Sequence, residues 1–161
     1  DGRILCVEFD GRVSCRPDGT FHCTHCVMRD VTQQKKMEQS LRESEDRYRS
    51  IFDNAVLGIY RTTPDGKILA ANPALLRMLG YDSFEELARR NLQEEGFEAG
   101  YPRAVFRELI ESKGEVIGLE SVWTRRDGAR LYVRENAKAI RDDHGQTRCY
   151  EGTVEDITEQ A

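Results

Sequence analysis

The sequence of 161 residues lacks the long apolar run, the basic cluster and the cysteine framework that would each indicate a particular class of protein. No stretch approaches the roughly 18 apolar residues of a membrane-spanning helix, and no charged segment followed by an apolar one indicates a signal peptide. A net charge of −5 without a basic patch argues against nucleic acid and against contact with a membrane surface. Five cysteines without framework spacing favour a reducing compartment, so the expected location is the cytoplasm.

Catalytic and metal-binding signatures are also scarce. The sequence has no glycine-rich phosphate loop, no Ser/His/Asp or Cys/His arrangement and no H-E-x-x-H helix. We therefore expect this segment to be non-catalytic, with any effector domain elsewhere in the parent protein. The run Cys23-Thr24-His25-Cys26 invites a zinc interpretation, but residues three apart on a strand point to opposite faces, whereas a metal knuckle requires a turn. No metal site is predicted.

The first 34 residues are repeated near the end of the chain. Residues 1–34 align with residues 127–160 without a gap, and nine positions are identical where about two are expected by chance. The shared residues are turn glycines, strand apolars and polar residues: Asp1/Asp127, Gly2/Gly128, Leu5/Leu131, Val7/Val133, Gly19/Gly145, Cys23/Cys149, Asp30/Asp156, Thr32/Thr158 and Gln34/Gln160. Because a repeat this long is a domain rather than a solenoid unit, three parts are predicted. They are the closing strands of a preceding domain (residues 1–32), a linker (33–54) and a complete domain (55–161).

The linker is rich in Gln, Glu, Lys and Arg and predicts an amphipathic helix. Met37 and Leu41 are four residues apart and Leu41 and Tyr48 are seven apart, so the three lie on one seam of the helix. This seam predicts a short parallel coiled coil and hence a homodimer. A surface helix that covers its own domain is the alternative. The free edge of the preceding strands could also pair with another chain.

The complete domain begins with a hairpin and two short helices. Residues 56–62 and 67–71 flank a turn with proline and glycine, which predicts two antiparallel strands. Asn72 is the expected N-cap of the first helix. Ser83 is the expected N-cap of the second, with Glu86 completing a capping box.

One longer helix and three strands complete the pattern. The helix is expected over residues 102–112, after a loop at residues 91–101. The strands are expected at residues 116–126, 130–141 and 147–155, with tight connections that make them antiparallel. The order predicts an α+β fold with one antiparallel sheet and the helices on one face.

Several short motifs, occurring together and in this order, resemble the PAS domain with its C-terminal PAC motif. They are Tyr48-Arg49-Ser50-Ile51-Phe52-Asp53-Asn54-Ala55, Thr63-Pro64-Asp65-Gly66, Ala71-Asn72-Pro73-Ala74, Leu79-Gly80-Tyr81, Arg126-Asp127-Gly128 and Glu151-Gly152-Thr153-Val154-Glu155-Asp156-Ile157-Thr158-Glu159. The resemblance covers residues 48–160, and residues 1–34 resemble the closing strands of a preceding PAS domain. It implies a five-stranded antiparallel sheet with flanking helices. It also implies a sensor or dimerisation module in a multidomain bacterial signalling protein, such as a histidine kinase or a diguanylate cyclase.

The resemblance also bears on cofactors. Haem-binding PAS domains use an axial histidine on or near the long helix, and residues 91–112 contain none. The flavin photosensors carry Asn-Cys in the helix that here reads Asn72-Pro73, so the reactive cysteine is missing. A thioester-linked chromophore also needs a placed cysteine, whereas Cys149 on a strand is expected to be a packing residue. Haem and flavin are therefore not expected, and the identity of any cofactor is open.

One strand contains a candidate ligand site. Side chains alternate along residues 130–140, so Val133, Glu135 and Ala137 share a face that is apolar except for Glu135. Burial of an unpaired carboxylate is costly, so Glu135 must find an internal partner or contact a ligand. An ordinary internal salt bridge is the alternative to a ligand. If the neighbouring strands keep their parity, the cavity is also lined by Ile59, Ile117, Leu119 and Ser121.

The predicted mechanism is relay of a conformational change. Asp156, Ile157 and Thr158 end the last strand and should start an outgoing helix, just as Asp30 and Thr32 should start the linker helix. A shift in the sheet would then change the angle or register of the outgoing helix. Two functions are open: a sensor that binds a small molecule, and a ligand-free module that dimerises and transmits.

Overall fold

The computed structural model describes residues 2–97 and 103–160, and the chain divides into two compact units, Asp1–Arg49 and Ser50–Ala161. The first unit contains an antiparallel hairpin of β1 (Val7–Cys15) and β2 (Phe21–Asp30). Helix α1 (Thr32–Asn54) begins in the first unit and ends in the second. Over the described residues the second unit contains β3 (Gly58–Thr62), β4 (Ile68–Ala71), α2 (Pro73–Leu79), α3 (Phe84–Ala88), α4 (Arg103–Lys113), β5 (Glu115–Thr124), β6 (Arg130–Arg141) and β7 (Thr147–Asp156), then a 3-10 turn (Thr158–Gln160).

The strands of the second unit form one antiparallel sheet in the order β4-β3-β7-β6-β5. Side chains alternate strictly along β6 and β7, because one face of the sheet packs against the helices and the other faces solvent. The inward residues of these strands meet apolar residues of the three helices: Leu75, Leu79, Leu87, Phe106 and Ile110. The predicted α+β class and five-stranded antiparallel sheet are confirmed.

Local capping signals in the sequence form as expected in α2 and in part in α3. The side chain of Asn72 accepts a hydrogen bond from the amide of Leu75 (3.0 Å), and Gly80 ends α2 in the left-handed region at φ 78°. Ser83 accepts from the amide of Glu86 (3.2 Å) and so caps α3. The carboxylate of Glu86 accepts from Arg126 (2.9 Å) rather than completing the capping box. The predicted start of the next helix, residue 102, lies outside the described residues, as do residues 98–101 of the predicted loop.

The sequence repeat is also a structural repeat. The first and last residues of β2 are each 126 positions before those of β7. The last residues of β1 and β6, Cys15 and Arg141, are also 126 positions apart. Val7 pairs with Asp30 as Val133 pairs with Asp156, and the same offset relates every other pair in the β1–β2 register to one in the β6–β7 register. Each hairpin also has a register irregularity one position from its turn. The two copies therefore share backbone pairing as well as residue identities.

Candidate functional site

A cavity of about 20 Å³ lies between the sheet and the helices of the second unit. Most of its wall is apolar, with leucine and isoleucine side chains together with Phe97 and Trp123. Four polar or charged residues complete the wall: Tyr60, Thr62, Arg103 and Glu135. A volume of this size has room for about one water molecule, so a larger ligand requires the cavity to open.

Glu135 is the charged residue at the centre of the site. Its side chain is buried on β6, with 3% of the residue exposed, and it accepts a hydrogen bond from the hydroxyl of Tyr60 on β3. Strand β7 lies between these two strands, so the Tyr60 ring must cross it to reach the carboxyl group. Gly152 of β7 provides the space, because a Cβ atom there would lie 2.5 Å from the Tyr60 hydroxyl oxygen. The hydrogen bond between Tyr60 and Glu135 therefore depends on the glycine at position 152 of the strand between them.

A cation lies beside this pair. The guanidinium of Arg103, from the first turn of α4, donates to the hydroxyl of Thr62 (3.2 Å) and lies 5.5 Å from the centre of the Phe106 ring. Tyr60 and Thr62 are two residues apart on β3 and point to the same side of the sheet. Two neighbouring inward hydroxyls of β3 therefore hold opposite charges at the cavity: Tyr60 contacts the carboxyl group of Glu135, and Thr62 contacts the guanidinium of Arg103.

Other buried polar atoms of the site have unused hydrogen-bonding capacity. Trp123 stacks on Phe97 with ring centres 5.5 Å apart, and only 4% of Trp123 is exposed. The indole Nε1 of Trp123 and the Nε of Arg103 are buried in the cavity wall and have no hydrogen-bond partner in the part of the chain that the structure describes. Buried donors of this kind are costly, so they favour a polar guest in the cavity.

The residues predicted for the ligand site divide into three groups. Glu135 lines the cavity as predicted. On the neighbouring strand, Leu119 pairs with Glu135 and Ser121 pairs with Val133, so these residues share one inward face. Ala137 lies on the same face of β6. Leu119, Ser121, Val133 and Ala137 do not form part of the cavity wall.

The placement of Ile59 and Ile117 on the cavity face is wrong. On β3 the buried positions are Gly58, Tyr60 and Thr62, and Ile59 lies on the opposite face. On β5 the register shifts between Val116 and Leu119, which leaves Ile117 76% exposed. The parity argument holds only along an uninterrupted strand, and Gly118, at φ 65°, breaks it.

Sequence reasoning did not predict nine of the ten wall residues as part of the site. Four of the nine are aliphatic: Ile68, Leu75, Leu87 and Leu92. Trp123 follows Ser121 by two positions, so the same parity argument identifies it if it is continued along β5. Thr62 and Tyr60 are less apolar than Ile59, and their inward orientation follows from the pairing of β3 with β7. Phe97 and Arg103 carried no periodic signal in the sequence.

The predicted relay residues form the same hydrogen bonds after β7 and after β2. Asp156 accepts from the amide of Thr158 (2.9 Å), and the hydroxyl of Thr158 accepts from the amide of Tyr132 (3.1 Å). Asp30 likewise accepts from the amide of Thr32 (2.9 Å), and Thr32 accepts from the amide of Cys6 (2.9 Å). Thr32 opens a 23-residue helix, whereas the described chain after Thr158 forms one 3-10 turn. Ile157 is buried between Asp156 and Thr158, with 7% exposed.

The predicted dimer seam is exposed on α1. Met37, Leu41 and Tyr48 are 66%, 62% and 58% exposed, and α1 contains no buried residue over its full length. The seam is therefore available for a partner helix, and the dimer stays a prediction.

Metal-ligating side chains do not converge within residues 2–97 and 103–160, where no group of three or more His, Cys, Asp or Glu could hold an ion. Cys23 and His25 do lie close together, with Sγ and Nε2 3.3 Å apart. Cys149 is partly buried on β7. None of the helices in the described part of the chain is long and apolar enough to cross a membrane.

An antiparallel sheet in the order β4-β3-β7-β6-β5, with short helices enclosing a small cavity on one face, defines the class of PAS-fold domains. Residues 53–159 match the PAS domain family, and the chain belongs to that family. The PAS domain of an HTR-like protein from Haloarcula marismortui has the same fold, with a TM-score of 0.60, 22% identity and coverage of 76% of this chain and 99% of that one.

Two curated relatives are much longer signalling proteins. The chain is 22% identical over 139 residues to the sensor histidine kinase TmoS of Ectopseudomonas mendocina, which covers 85% of this chain and 14% of that protein. It is 40% identical over 52 residues to sporulation kinase E of Bacillus subtilis (strain 168), which covers 32% of this chain and 7% of that protein. The chain thus spans about a seventh or less of the length of these relatives.

Proposed function

We propose that the second unit is a non-catalytic sensory and signal-relay PAS domain of a multidomain signalling protein, such as a histidine kinase or a diguanylate cyclase. Membership of the PAS family supports the sensory role, because PAS domains are generally non-catalytic sensory modules. The names and lengths of the two curated relatives support a place in a larger kinase-type protein. The Tyr60–Glu135 hydrogen bond beside a cavity with unused donors is the observation that carries ligand binding.

In this proposal a small molecule enters between the sheet and the helices and enlarges the cavity. Glu135 and Tyr60 bind one polar end of the ligand, and Trp123 Nε1 or the Arg103 guanidinium donates to an acceptor atom. The remaining wall binds apolar surface, as is usual for small-molecule sites. The ligand biases the domain only if its affinity differs between two arrangements of the sheet.

Strand β6 connects the cavity to the exit of the chain. It carries Glu135 in the cavity and, three residues earlier, Tyr132, whose amide donates to the hydroxyl of Thr158 (3.1 Å). The amide of Ile157 in turn donates to the carbonyl of Tyr132 (2.9 Å). A ligand that displaces β6 therefore acts on the Asp156-Ile157-Thr158 segment through bonds to a single residue.

A second candidate function, a ligand-free module that dimerises and transmits, is favoured by two observations. The cavity is only about 20 Å³, and Glu135 already has an internal partner. In this case the exposed seam of Met37, Leu41 and Tyr48 is the functional surface and forms a parallel coiled coil.

Native mass spectrometry of the purified chain separates these two functions. The sensor proposal expects a bound small molecule in the wild type, its loss in Glu135→Gln and its retention in the matched control Glu120→Gln, whose side chain is 60% exposed. A dimer with no added mass in any of the three proteins would favour the ligand-free module instead. Circular dichroism confirms that each variant is folded.

The relay is tested in a longer protein that includes an effector domain. Thr158→Val removes the hydroxyl acceptor at constant shape, whereas Thr158→Ser keeps it. We expect Thr158→Val to abolish the dependence of output on the ligand without changing ligand affinity, and Thr158→Ser to behave as the wild type. Equal responses of the two variants would contradict the relay through Tyr132.

A further inference from the structure

The residues of the β1–β2 hairpin pair in the same register as β6 and β7, two inner strands of the five-stranded sheet. In the second unit the equivalent pair, β6–β7, is flanked by β5 on one side and by β3 on the other. Among the described residues, β1 and β2 form a sheet of two strands, so both outer edges present unpaired backbone groups. A two-stranded hairpin is marginally stable on its own, and free edges of this kind pair with further strands.

One face of the hairpin is apolar and exposed where its counterpart is buried. Phe9 pairs with Met28 and Val13 with Thr24, so Val7, Phe9, Val13 and Met28 lie on a single face. These four residues are 54–70% exposed. The residues at the equivalent positions of the second unit are at most 8% exposed: Val133, Glu135, Ala139 and Val154. This apolar face therefore fits a covering layer of helices like α2–α4.

We propose that β1–β2 is the central strand pair of a second PAS domain, and that upstream residues of the same polypeptide supply its flanking strands and its helices. The pair-for-pair register and the equivalent hydrogen bonds of Thr32 and Thr158 support an occupant that repeats the second unit. The match to TmoS covers 85% of the chain, more than the second unit contains, so that similarity extends into the first unit. The length of both relatives favours an occupant in the same polypeptide.

The upstream domain differs from the second unit at the centre of its core. Phe9 occupies the position of Glu135, and Cys26 occupies the position of Gly152. A Cβ atom at Gly152 would lie 2.5 Å from the Tyr60 hydroxyl oxygen, so Cys26 leaves no room for a tyrosine at the position equivalent to Tyr60. Both requirements of the tyrosine–glutamate pair are therefore absent from the upstream domain. Any ligand in the upstream domain would therefore meet Phe9 where the second unit has Glu135.

Hydrogen–deuterium exchange tests the proposal in two proteins, the chain of residues 1–161 and the longer natural protein that includes its upstream residues. In the shorter chain the amides on the outer edges of β1 and β2 exchange fast. In the longer protein we expect them to exchange at least about tenfold more slowly, because both edges are paired. The amides of the second unit should exchange alike in both proteins and provide the internal control.

Two adjacent substitutions in the longer protein distinguish the two faces of the hairpin. Met28→Asn places an amide on the face proposed to be covered, and we expect it to abolish the added protection. Val27→Asn changes the neighbouring residue, which lies on the opposite face and is 66% exposed, and the protection should persist.

Three results would overturn the proposal. One is unchanged fast exchange of the hairpin in the longer protein, and another is an equal effect of Met28→Asn and Val27→Asn. The third is that the shorter chain is a dimer by light scattering and its hairpin is already protected to the same degree as in the longer protein. A second copy of the chain would then be the occupant.

Discussion

The hydroxyl of Tyr60 donates to the carboxyl group of Glu135 across an intervening strand, so β3 and β6 are joined by side chains although they are not hydrogen-bonded neighbours. Both residues are buried, with 7% and 3% exposed. The contact joins β3, the strand that follows the linker helix, to β6, the strand whose Tyr132 is hydrogen-bonded to Ile157 and Thr158. Its strength therefore affects both the stability of the core and any signal that passes through it.

Tyr60→Phe should destabilise the second unit by about 1–3 kcal/mol, because it removes one donor from a buried carboxyl group while preserving ring packing. Urea unfolding measures the change. Tyr132→Phe is the matched control, since that ring is 37% exposed on the same sheet, and its effect should stay within about 0.5 kcal/mol. Adding Glu135→Met to Tyr60→Phe should cost less than the sum of the two single changes. Strict additivity would show that the two residues are not coupled.

Gly152→Ala should also disrupt this contact, from the strand in between. The added methyl group would lie 2.5 Å from the hydroxyl oxygen of Tyr60 and 2.8 Å from the carbonyl oxygen of Asn136, so the ring or the backbone must move. We expect a loss of about 1–3 kcal/mol in urea unfolding, as for other overpacked cores. The loss should be smaller in a Tyr60→Leu background, where one of the two clashing groups is gone. An equal loss in both backgrounds would place the strain in the backbone alone.

Asn72 joins three elements of the second unit, so its replacement should lower the stability of that unit far more than the loss of an ordinary helix cap does. Its side-chain oxygen accepts from the amides of Ile59 (2.8 Å) and Leu75 (3.0 Å), and its side-chain nitrogen donates to the carbonyls of Phe52 (3.1 Å) and Leu57 (2.9 Å). Asn72→Ala leaves these groups without their partner in a site where the residue is fully buried. The expected loss is about 2–4 kcal/mol.

Ser83→Ala is the comparison for Asn72→Ala, because Ser83 caps α3 through one bond to the amide of Glu86 (3.2 Å). Its loss should be about 1 kcal/mol by urea unfolding, the usual value for an N-cap. Similar losses in the two variants would show that the bonds of Asn72 to Phe52 and Leu57 contribute little.

Glu111 should produce an acid-dependent part of the stability. Hydrogen bonds from the hydroxyls of Tyr150 (2.6 Å) and Thr147 (2.8 Å) lower the pKa of Glu111 below its usual value of 4.5, with Tyr150 as the larger cause. A lowered pKa in the folded state stabilises the protein above the unfolded value, and this contribution is lost as pH falls through the folded value. Its size is limited because the side chain of Glu111 is 38% exposed.

Urea midpoints measured from neutral pH to below pH 4 test this contribution by comparing the wild type with Glu111→Gln. Glu111→Gln should be less stable at neutral pH, and the gap should narrow as the wild-type carboxylate is protonated. Parallel curves over the whole range would contradict a role for the charge. Glu120→Gln, at an exposed position of β5, is the control.

Much of the fold follows from local signals in the sequence. Asn72, Ser83 and Gly80 mark helix ends through their own hydrogen bonds and dihedral angles, so neighbouring residues are enough to identify them. The inward position of Glu135 follows from alternation along β6, a strand whose outward residues are mostly polar and whose inward ones are otherwise apolar.

The parts that could not be predicted depend on contacts between distant residues. The partner of Glu135 is Tyr60, 75 positions away, and their contact requires the strand order and the glycine at position 152. The exposure of Ile117 depends on a local break in β5, which alternation cannot reveal when the residues on both sides are apolar. Ile59 shows a third limit, because an isoleucine faces outward while the more polar Tyr60 and Thr62 point to the core.

Trp123 is the single tryptophan of the chain. It forms part of the cavity wall, stacks on Phe97 and is 4% exposed. Tryptophan emission therefore arises from one buried place, and neither the hairpin nor the linker helix contributes to it. Its wavelength and intensity report directly on entry of a guest, opening of the core or displacement of Phe97, so the protein contains its own optical probe and needs no added dye.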